Sequence, residues 1–382
     1  MKRAKSIAIL LVAALVLTML LTACGGGESD TIKIGAVDPL TGSQAVFGQD
    51  SLNGKQMAVE EINAAGGVLG KQIQLISEDD AGQAAQAATV ATKLITQDEV
   101  VAISGAHGSS STLAIMEVLN KYGVPCVTPG SSSPLITTSG CEWISRGIPD
   151  DRLQSRILVR YAKETDGVTK LGVLYSNDDY GKGGYDAAVE AGQEYGLEII
   201  GETFMPDDQN FTTQISKLRD EGCDGVMLWC VYSPGSLIAK QIRDMGWDVK
   251  RYASPGLNNP QSFELSDGAI DGIIGTTGFV SADPDEYVQD WIKRYEEKYG
   301  IDASQTAAVG YDSIYLIAEA IERAGTTEAE AVQEEIRSTK DFKSLKGLLT
   351  INHETGEYEA EVRLTLANSD TNTFDYIGNY TV

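Results

Sequence analysis

The chain has 382 residues, with 30 Lys and Arg against 55 Asp and Glu, a net charge of −25 at neutral pH. So acidic a surface repels nucleic acid and anionic lipid headgroups, which excludes both as binding targets. Hydrophobic residues make up 42% of the chain, enough for true cores and too many for a disordered stalk, and the length points to two domains at roughly 100–200 residues each.

The first thirty residues read as an export signal. Lys2, Arg3 and Lys5 form a basic start, Ile7 to Leu21 an almost wholly aliphatic run, and Leu21-Thr22-Ala23-Cys24 a lipobox pattern, followed by the spacer Gly25 to Asp30. The run is shorter than the ~20 apolar residues of a spanning helix. Residues 1–23 are therefore expected to be a lipoprotein signal peptide and 24–30 a flexible linker, with Cys24 the lipidation site that anchors the mature chain to the outer side of the cell membrane.

From Thr31 short aliphatic runs alternate with amphipathic segments, the pattern of parallel strands joined by helices. Strands are expected at 31–37, 72–77, 100–104, 124–128 and 143–146, with helices near 50–64, 83–96 and 111–122. The rhythm restarts after a helix near 152–164: strands at 170–175, 197–204, 225–230, 251–253 and 273–277, helices near 183–195, 211–220 and 236–245. Beyond Val280, Asp283-Pro284-Asp285-Glu286 predicts a helix capped by Asp283; a second follows near 306–324 and a third opens with the capping box Thr327-x-x-Glu330. Strand pairs near 345–351 and 359–366 close the chain. Helices arriving after two complete α/β halves imply that the chain crosses back to the first half and then crosses again.

Cys126, Cys141, Cys223 and Cys230 are an even number in an exported chain, so one or two disulfides are open; Cys126 and Cys141 flank a loop and can meet, whereas Cys223 and Cys230 end one strand and read as buried thiols. With only His107 and His353, and no CxxC, no metal site is expected, and no cofactor. The near match to a phosphate loop at Gly66 to Lys71 fails, because Gln72 stands where Ser or Thr must hold magnesium. Ser109 and His107, two residues apart on one tight loop with no third group to orient the imidazole, are a poor nucleophile and base, so no enzyme is expected.

Three loops at carboxyl ends of first-half strands are rich in small hydroxyl residues and glycine: Asp38 to Ser43, Gly105 to Thr112 and Thr128 to Ser133. Ser caps helices and makes turns everywhere, but three such loops at equivalent strand ends mark the crevice where open α/β sheets bind ligands. The second loop runs into a helix, so free amides, the positive helix end and Ser hydroxyls converge on a site fit for a carboxylate.

On these landmarks the chain resembles the branched-chain amino-acid-binding proteins of ABC importers, with the type I periplasmic binding protein fold. The resemblance rests on Pro39-Leu40-Thr41-Gly42, Asn63-x-x-Gly66-Gly67-x-x-Gly70, Asp79-Asp80, Gly108-Ser109-Ser110-Ser111-Thr112, Pro129-Gly130-Ser131, Asp179-Tyr180-Gly181 and Gly310-Tyr311-Asp312. It implies two doubly wound parallel-sheet domains joined by a multi-strand hinge, with one lobe from 31–149 plus 280–357 and the other from 150–279 plus 358–382. It also implies that Ser109 with Gly130 and Ser132 holds a ligand carboxylate, and that Ser132 and the Gly130 carbonyl also touch the ligand amino group, Ser110 and Ser131 belonging to the same loops. Phe47 packs on the ligand side chain, Tyr180 arrives from the second lobe on closure, and Tyr232 or Trp229 adds another ring.

One departure matters. The family places a carboxylate for the ligand ammonium after the proline near Ala253 to Asn258, and here Pro255 is followed by Gly256. Either Asp38 supplies the missing charge from the other wall, or the ligand lacks an amine; Asp312 fits a helix cap better. The expected function is a lipid-anchored, monomeric, extracytoplasmic solute-binding protein that delivers an amino acid or related small carboxylate to ABC permease subunits. The alternative is a ligand-sensing lobe pair that signals through a separate receptor.

Overall fold

Buried strands alternate with helices from Thr31 onward in the computed structural model, which describes residues 31–359 and 361–380. The expected signal peptide, linker and lipidated Cys24 lie outside the described residues. The first lobe builds β1 (Thr31–Asp38), α1 (Ala45–Ala64), β2 (Gln72–Asp79), α2 (Ala84–Thr96), β3 (Ala102–Ser104), α3 (Ser109–Tyr122), β4 (Cys126–Thr128), the short α4 (Leu135–Thr138) and β5 (Ile144–Arg146). All five strands are parallel, in the order β2-β1-β3-β4-β5. Because side chains alternate across a strand, Ile32 and Ile34 pack beneath α1 while Val37 and Ile103 pack beneath α2 and α3, which covers both faces.

The second lobe follows with α5 (Asp151–Glu164), β6 (Lys170–Ser176), α6 (Asp179–Tyr195), β7 (Glu198–Phe204), α7 (Thr212–Asp220), β8 (Gly225–Trp229), α8 (Tyr232–Asp244), β9 (Lys250–Ala253), a 3-10 turn (Pro255–Leu257), α9 (Gln261–Ser266) and β10 (Ile274–Thr277). The chain then returns to the first lobe, where α10 (Glu286–Tyr299), α11 (Gln305–Ala324) and α12 (Ala329–Arg337) join the core beneath β1. A three-stranded antiparallel sheet follows, built of β11 (Phe342–Ser344), β12 (Gly347–Ile351) and β13 (Tyr358–Glu359). Finally β14 (Val362–Asn368) and β15 (Thr373–Tyr380) complete the second sheet, ordered β15-β14-β10-β9-β8-β6-β7.

That second sheet is mixed, not parallel throughout: β14 runs antiparallel to β10, and β15 antiparallel to β14. The cause is the last crossing, which brings the chain back as a hairpin without a crossover helix. The strands expected near 345–351 and 359–366 accordingly lie in different sheets. The chain leaves the first sheet after Arg146, packs again into the core beneath β1 after Thr277 and joins the second sheet after Glu359.

Several helix starts differ from the sequence expectation. Asp179-Tyr180-Gly181 is the first turn of α6 and not a free turn, because the Asp178 carboxylate accepts from the Gly181 amide at 2.7 Å and caps it. Asp285, not Asp283, caps α10 by accepting from Tyr287 N at 2.8 Å, while Asp283 accepts from Asp285 N and pairs with Arg363 at 2.6 Å. The Thr327 capping box does not form; Glu328 occupies the cap position of α12 without a side-chain bond to the helix.

The two long helices α1 and α11 approach closely through Gly54 and Gly310. A Cβ at Gly54 would lie 2.0 Å from the Ala307 carbonyl oxygen, and one at Gly310 2.3 Å from that of Ser51. Tyr311 beside it donates to Glu61 at 2.6 Å. Asp312 caps nothing: it sits inside α11, buried, accepting from Leu345 N at 3.0 Å and from Lys346. All four described cysteines are buried and free, so no disulfide joins Cys126 to Cys141.

A buried ion pair ties α1 to the carboxyl end of the first sheet. Lys55 Nζ donates to both Asp38 oxygens, at 2.8 and 2.7 Å, and to the Ser104 carbonyl at 3.1 Å, with both side chains fully buried. Removing one partner strands the other charge in the core. Lys55→Met is expected to lower unfolding free energy by about 3–5 kcal/mol, read from urea denaturation, and Asp38→Asn in the same background should recover part of that loss.

Candidate ligand site

Both lobes point the carboxyl ends of their parallel strands at one cavity of about 390 Å³, within the usual range for small-molecule sites. The first lobe contributes the segments that follow β1, β2, β3 and β4, among them Phe47, Gln83, His107 to Ser111, Gly130 and Ser132. The second contributes those after β6, β7, β8 and β9, notably Asp178, Tyr180, Val231 and Gly256. The head of α11 adds Gln305, Thr306 and Val309.

The polar wall is built on α3, which starts at Ser109 with Gly108 as its cap residue, so its first amides lack helical partners and open toward the cavity. Ser109 is 3% exposed; its hydroxyl oxygen accepts from Ser133 N at 3.3 Å, which leaves its proton for a ligand acceptor. Ser132 is also buried, and its hydroxyl has no hydrogen-bond partner. Gly130 is required by His107: a Cβ there would lie 2.3 Å from the imidazole Nδ1. Burial lowers the His107 pKa to about 4, so the ring is neutral at physiological pH, and no hydrogen bond joins it to Ser109. Among the described residues no cluster of three or more His, Cys, Asp or Glu is placed to hold a metal.

Of the residues singled out in the sequence, Phe47, Ser109, Ser110, Gly130, Ser132, Tyr180 and Gly256 line the cavity together, and three do not. Ser131 is fully buried, with its hydroxyl shared between Thr112 at 2.6 Å and the His107 carbonyl at 3.0 Å, so it braces the loop from behind. Asp38 is held by Lys55 and cannot supply a charge to the cavity. Tyr232 packs on Phe47 with ring centroids 4.8 Å apart and donates to the Ser43 carbonyl at 3.4 Å. Trp229 is buried in the second core, with its ring 6.2 Å from that of Tyr180.

Gly256 now has a steric reason. A Cβ there would lie 2.5 Å from the Cys230 carbonyl oxygen and 3.0 Å from the Tyr180 hydroxyl, and Gly256 N donates to that hydroxyl at 3.2 Å. Tyr180 fills the space a side chain at 256 would need. The sequence reading missed Gln44, Asp178, Gln305 and Thr306. Asp178 carried a legible signal, as a cap ahead of a helix; Gln305 and Thr306 carried none, because only the chain's return brings α11 to the cavity.

Hydrogen bonds and a ring pair join the two lobes across the cleft. The Ser110 hydroxyl donates to Asp179 Oδ2 at 2.6 Å, and Asp179 N donates back at 3.3 Å, joining α3 of one lobe to α6 of the other. The Phe47–Tyr232 pair closes the far side.

The sequence matches the profile described as periplasmic binding protein over residues 31–372. The chain belongs to the periplasmic binding protein family. Among its relatives, a Leu/Ile/Val-binding protein homolog of Brucella melitensis is 29% identical over 328 residues, covering 85% of this chain and 88% of the relative. The crystal structure of a leucine binding protein from Thermotoga maritima superposes with a TM-score of 0.86 at 29% identity, covering 92% of this chain and 99% of that one. A branched-chain amino acid transporter substrate binding protein of Streptococcus pneumoniae, solved with isoleucine, gives 0.83 at 27% identity over 92% of this chain and all of that one (100%). The two-lobed type I architecture is thus established for this periplasmic binding protein, and the cavity described above lies in the cleft between the lobes.

The Ser110–Asp179 bonds join the two lobes, so they favour the arrangement in which the lobes are in contact. Ser110→Ala should weaken ligand affinity about 10- to 150-fold, from a charged hydrogen bond of about 1.5–3 kcal/mol, and raise the radius of gyration of the unliganded protein in solution scattering. An unchanged radius and affinity would remove the latch.

Proposed function

We propose that this protein is a lipid-anchored, extracytoplasmic receptor that captures an amino acid or related small carboxylate and hands it, as a monomer, to an ABC permease. The observation that carries the reading is the head of α3 in the cleft: unpaired helix amides, the Ser109 proton and the positive helix end form an anion-binding wall inside a cavity sized for a small solute. Relatives named for leucine, isoleucine and valine support amino acids as the first class to test. The lipobox at Cys24 supports anchoring, and membership in the family supports a place outside the cytoplasm.

The mechanism is population shift. A solute bridging Ser109 on one wall and Tyr180 on the other makes both contacts only in the closed clamp, so its binding free energy is also closing free energy. Permease docking then reads the closed state. The same rings and hydroxyls hold the ligand without reacting with it, and it should be recovered chemically unchanged after long incubation.

A thermal-shift screen of amino acids and simple carboxylates tests the class, since a ligand at 100 times its Kd stabilises by about 2.7 kcal/mol. Ser109→Ala combined with Tyr180→Ala should abolish binding in calorimetry while the melting transition stays cooperative. Retention of wild-type affinity by that double variant would remove the site.

A further inference from the structure

The cavity holds a second helix head besides that of α3, and no step described so far uses it. The first turn of α11 reaches the cavity through Gln305 and Thr306, with Val309 one turn further on. Ser304 caps this helix, its hydroxyl oxygen accepting from Ala307 N at 3.2 Å, so the amides of Gln305 and Thr306 keep no helical partner. Thr306 is only 6% exposed, and its hydroxyl makes no hydrogen bond within the described residues although the residue lines the cavity. The amide of Gln305 has one possible orientation. Gly278 N can only donate, and it bonds Gln305 Oε1 at 2.9 Å, which leaves the Nε2 group and its two protons as the free end of the side chain. Two unused donor side chains thus stand at successive positions of one helix head.

We propose that Thr306 and Gln305 donate to a neutral carbonyl oxygen on the ligand side chain, so that this site prefers amino acids with a carboxamide side chain over aliphatic ones. The inference rests on the amino-acid reading above and adds the chemistry of the side chain. A carbonyl oxygen has two lone pairs and takes one bond from the Thr306 hydroxyl and one from Gln305 Nε2, while Ser109 and the head of α3 hold the α-carboxylate. An aliphatic side chain in the same place strips water from both donors and returns no acceptor. Leaving a buried donor unpaired costs more than a bond gains, which is how a polar site rejects an apolar analogue of the same shape.

The two helix heads differ in what stands behind them, and the difference makes the second acceptor neutral. At α3 the cap is Gly108 and the first turn holds no acid, so the positive helix end is left for a ligand carboxylate. At α11 a carboxylate is already in place: Asp50 on α1, 7% exposed, accepts from the Ser304 hydroxyl at 2.7 Å. Burial raises the Asp50 pKa to about 6, with the Ser304 bond opposing, so the group is ionised at neutral pH and takes up the positive end of α11. No Lys or Arg lines the cavity among the described residues. A side-chain carboxylate at Thr306 would therefore meet the Asp50 charge without a cation to offset it, whereas a carboxamide meets only donors.

The test is calorimetry on the purified protein with L-asparagine, its apolar isostere L-leucine and its anionic isostere L-aspartate, together with L-glutamine and L-glutamate for a longer reach. The tighter of the two amides should bind at least about tenfold more strongly than L-leucine and than its own acid. Thr306→Val, which keeps the shape and removes the hydroxyl, should weaken that amide about 2- to 12-fold and leave L-leucine unchanged or tighter. Gln305→Glu keeps an acceptor for Gly278 N but replaces the free donor by an acceptor, and should weaken the amide further than Thr306→Val does. Ser109→Ala, by contrast, should weaken every ligand alike. L-Leucine, L-aspartate or L-glutamate binding as tightly as the better amide overturns the inference and leaves the amino-acid receptor intact. So does a folded Thr306→Val protein that keeps full amide affinity or loses the amide and L-leucine equally. Failure of all amino acids and simple carboxylates to bind sinks both.

Discussion

Everything in this protein depends on two sheets aiming the carboxyl ends of their strands at the same volume. Parallel strands end in helix starts, and helix starts carry unpaired amides, so two such edges facing each other enclose polar groups that neither lobe satisfies alone. The first edge offers the head of α3 and the hydroxyls of Ser109 and Ser132; the second offers Tyr180 and the Gly256 turn. Three chain connections run between the lobes and keep these edges facing each other.

Charge is distributed to match. The chain is strongly acidic, yet the acids of the cavity wall and the core behind it are individually controlled: Asp38 is neutralised by Lys55, Asp178 caps α6, and Asp312 faces Lys346. Such pairs contribute little net stability, because desolvation offsets most of the attraction, but they fix which element lies against which. Asp151 has no cation paired to it in this way: it is buried, with the Ser132 hydroxyl and the Trp229 N–H as its nearest donors.

Much of the architecture was legible before any coordinates. Alternating aliphatic and amphipathic segments gave both α/β halves, with strand positions displaced by a residue or two at their ends. The serine-rich loops bring Ser109, Ser110, Gly130 and Ser132 to one cavity, because a loop after a parallel strand lies at the carboxyl edge of the sheet. The failures share a cause. Ser131, Tyr232 and Asp38 sit in or beside the right loops, but whether a side chain faces the cavity or the core is set by neighbours distant in sequence. Asp38 turns inward because Lys55 on α1 meets it there.

The amino-acid sequence by itself determined the two-lobed α/β plan and the serine-lined head of α3, since periodicity, capping residues and glycine turns act over a few positions. Only the tertiary structure decided the antiparallel edge of the second sheet, the arrival of Gln305 and Thr306 at the cleft, the occupation of the space at Gly256 by Tyr180 and the placement of Asp151 behind Ser132. Those depend on how separately formed elements pack, and packing partners far apart along the chain leave no local pattern to read.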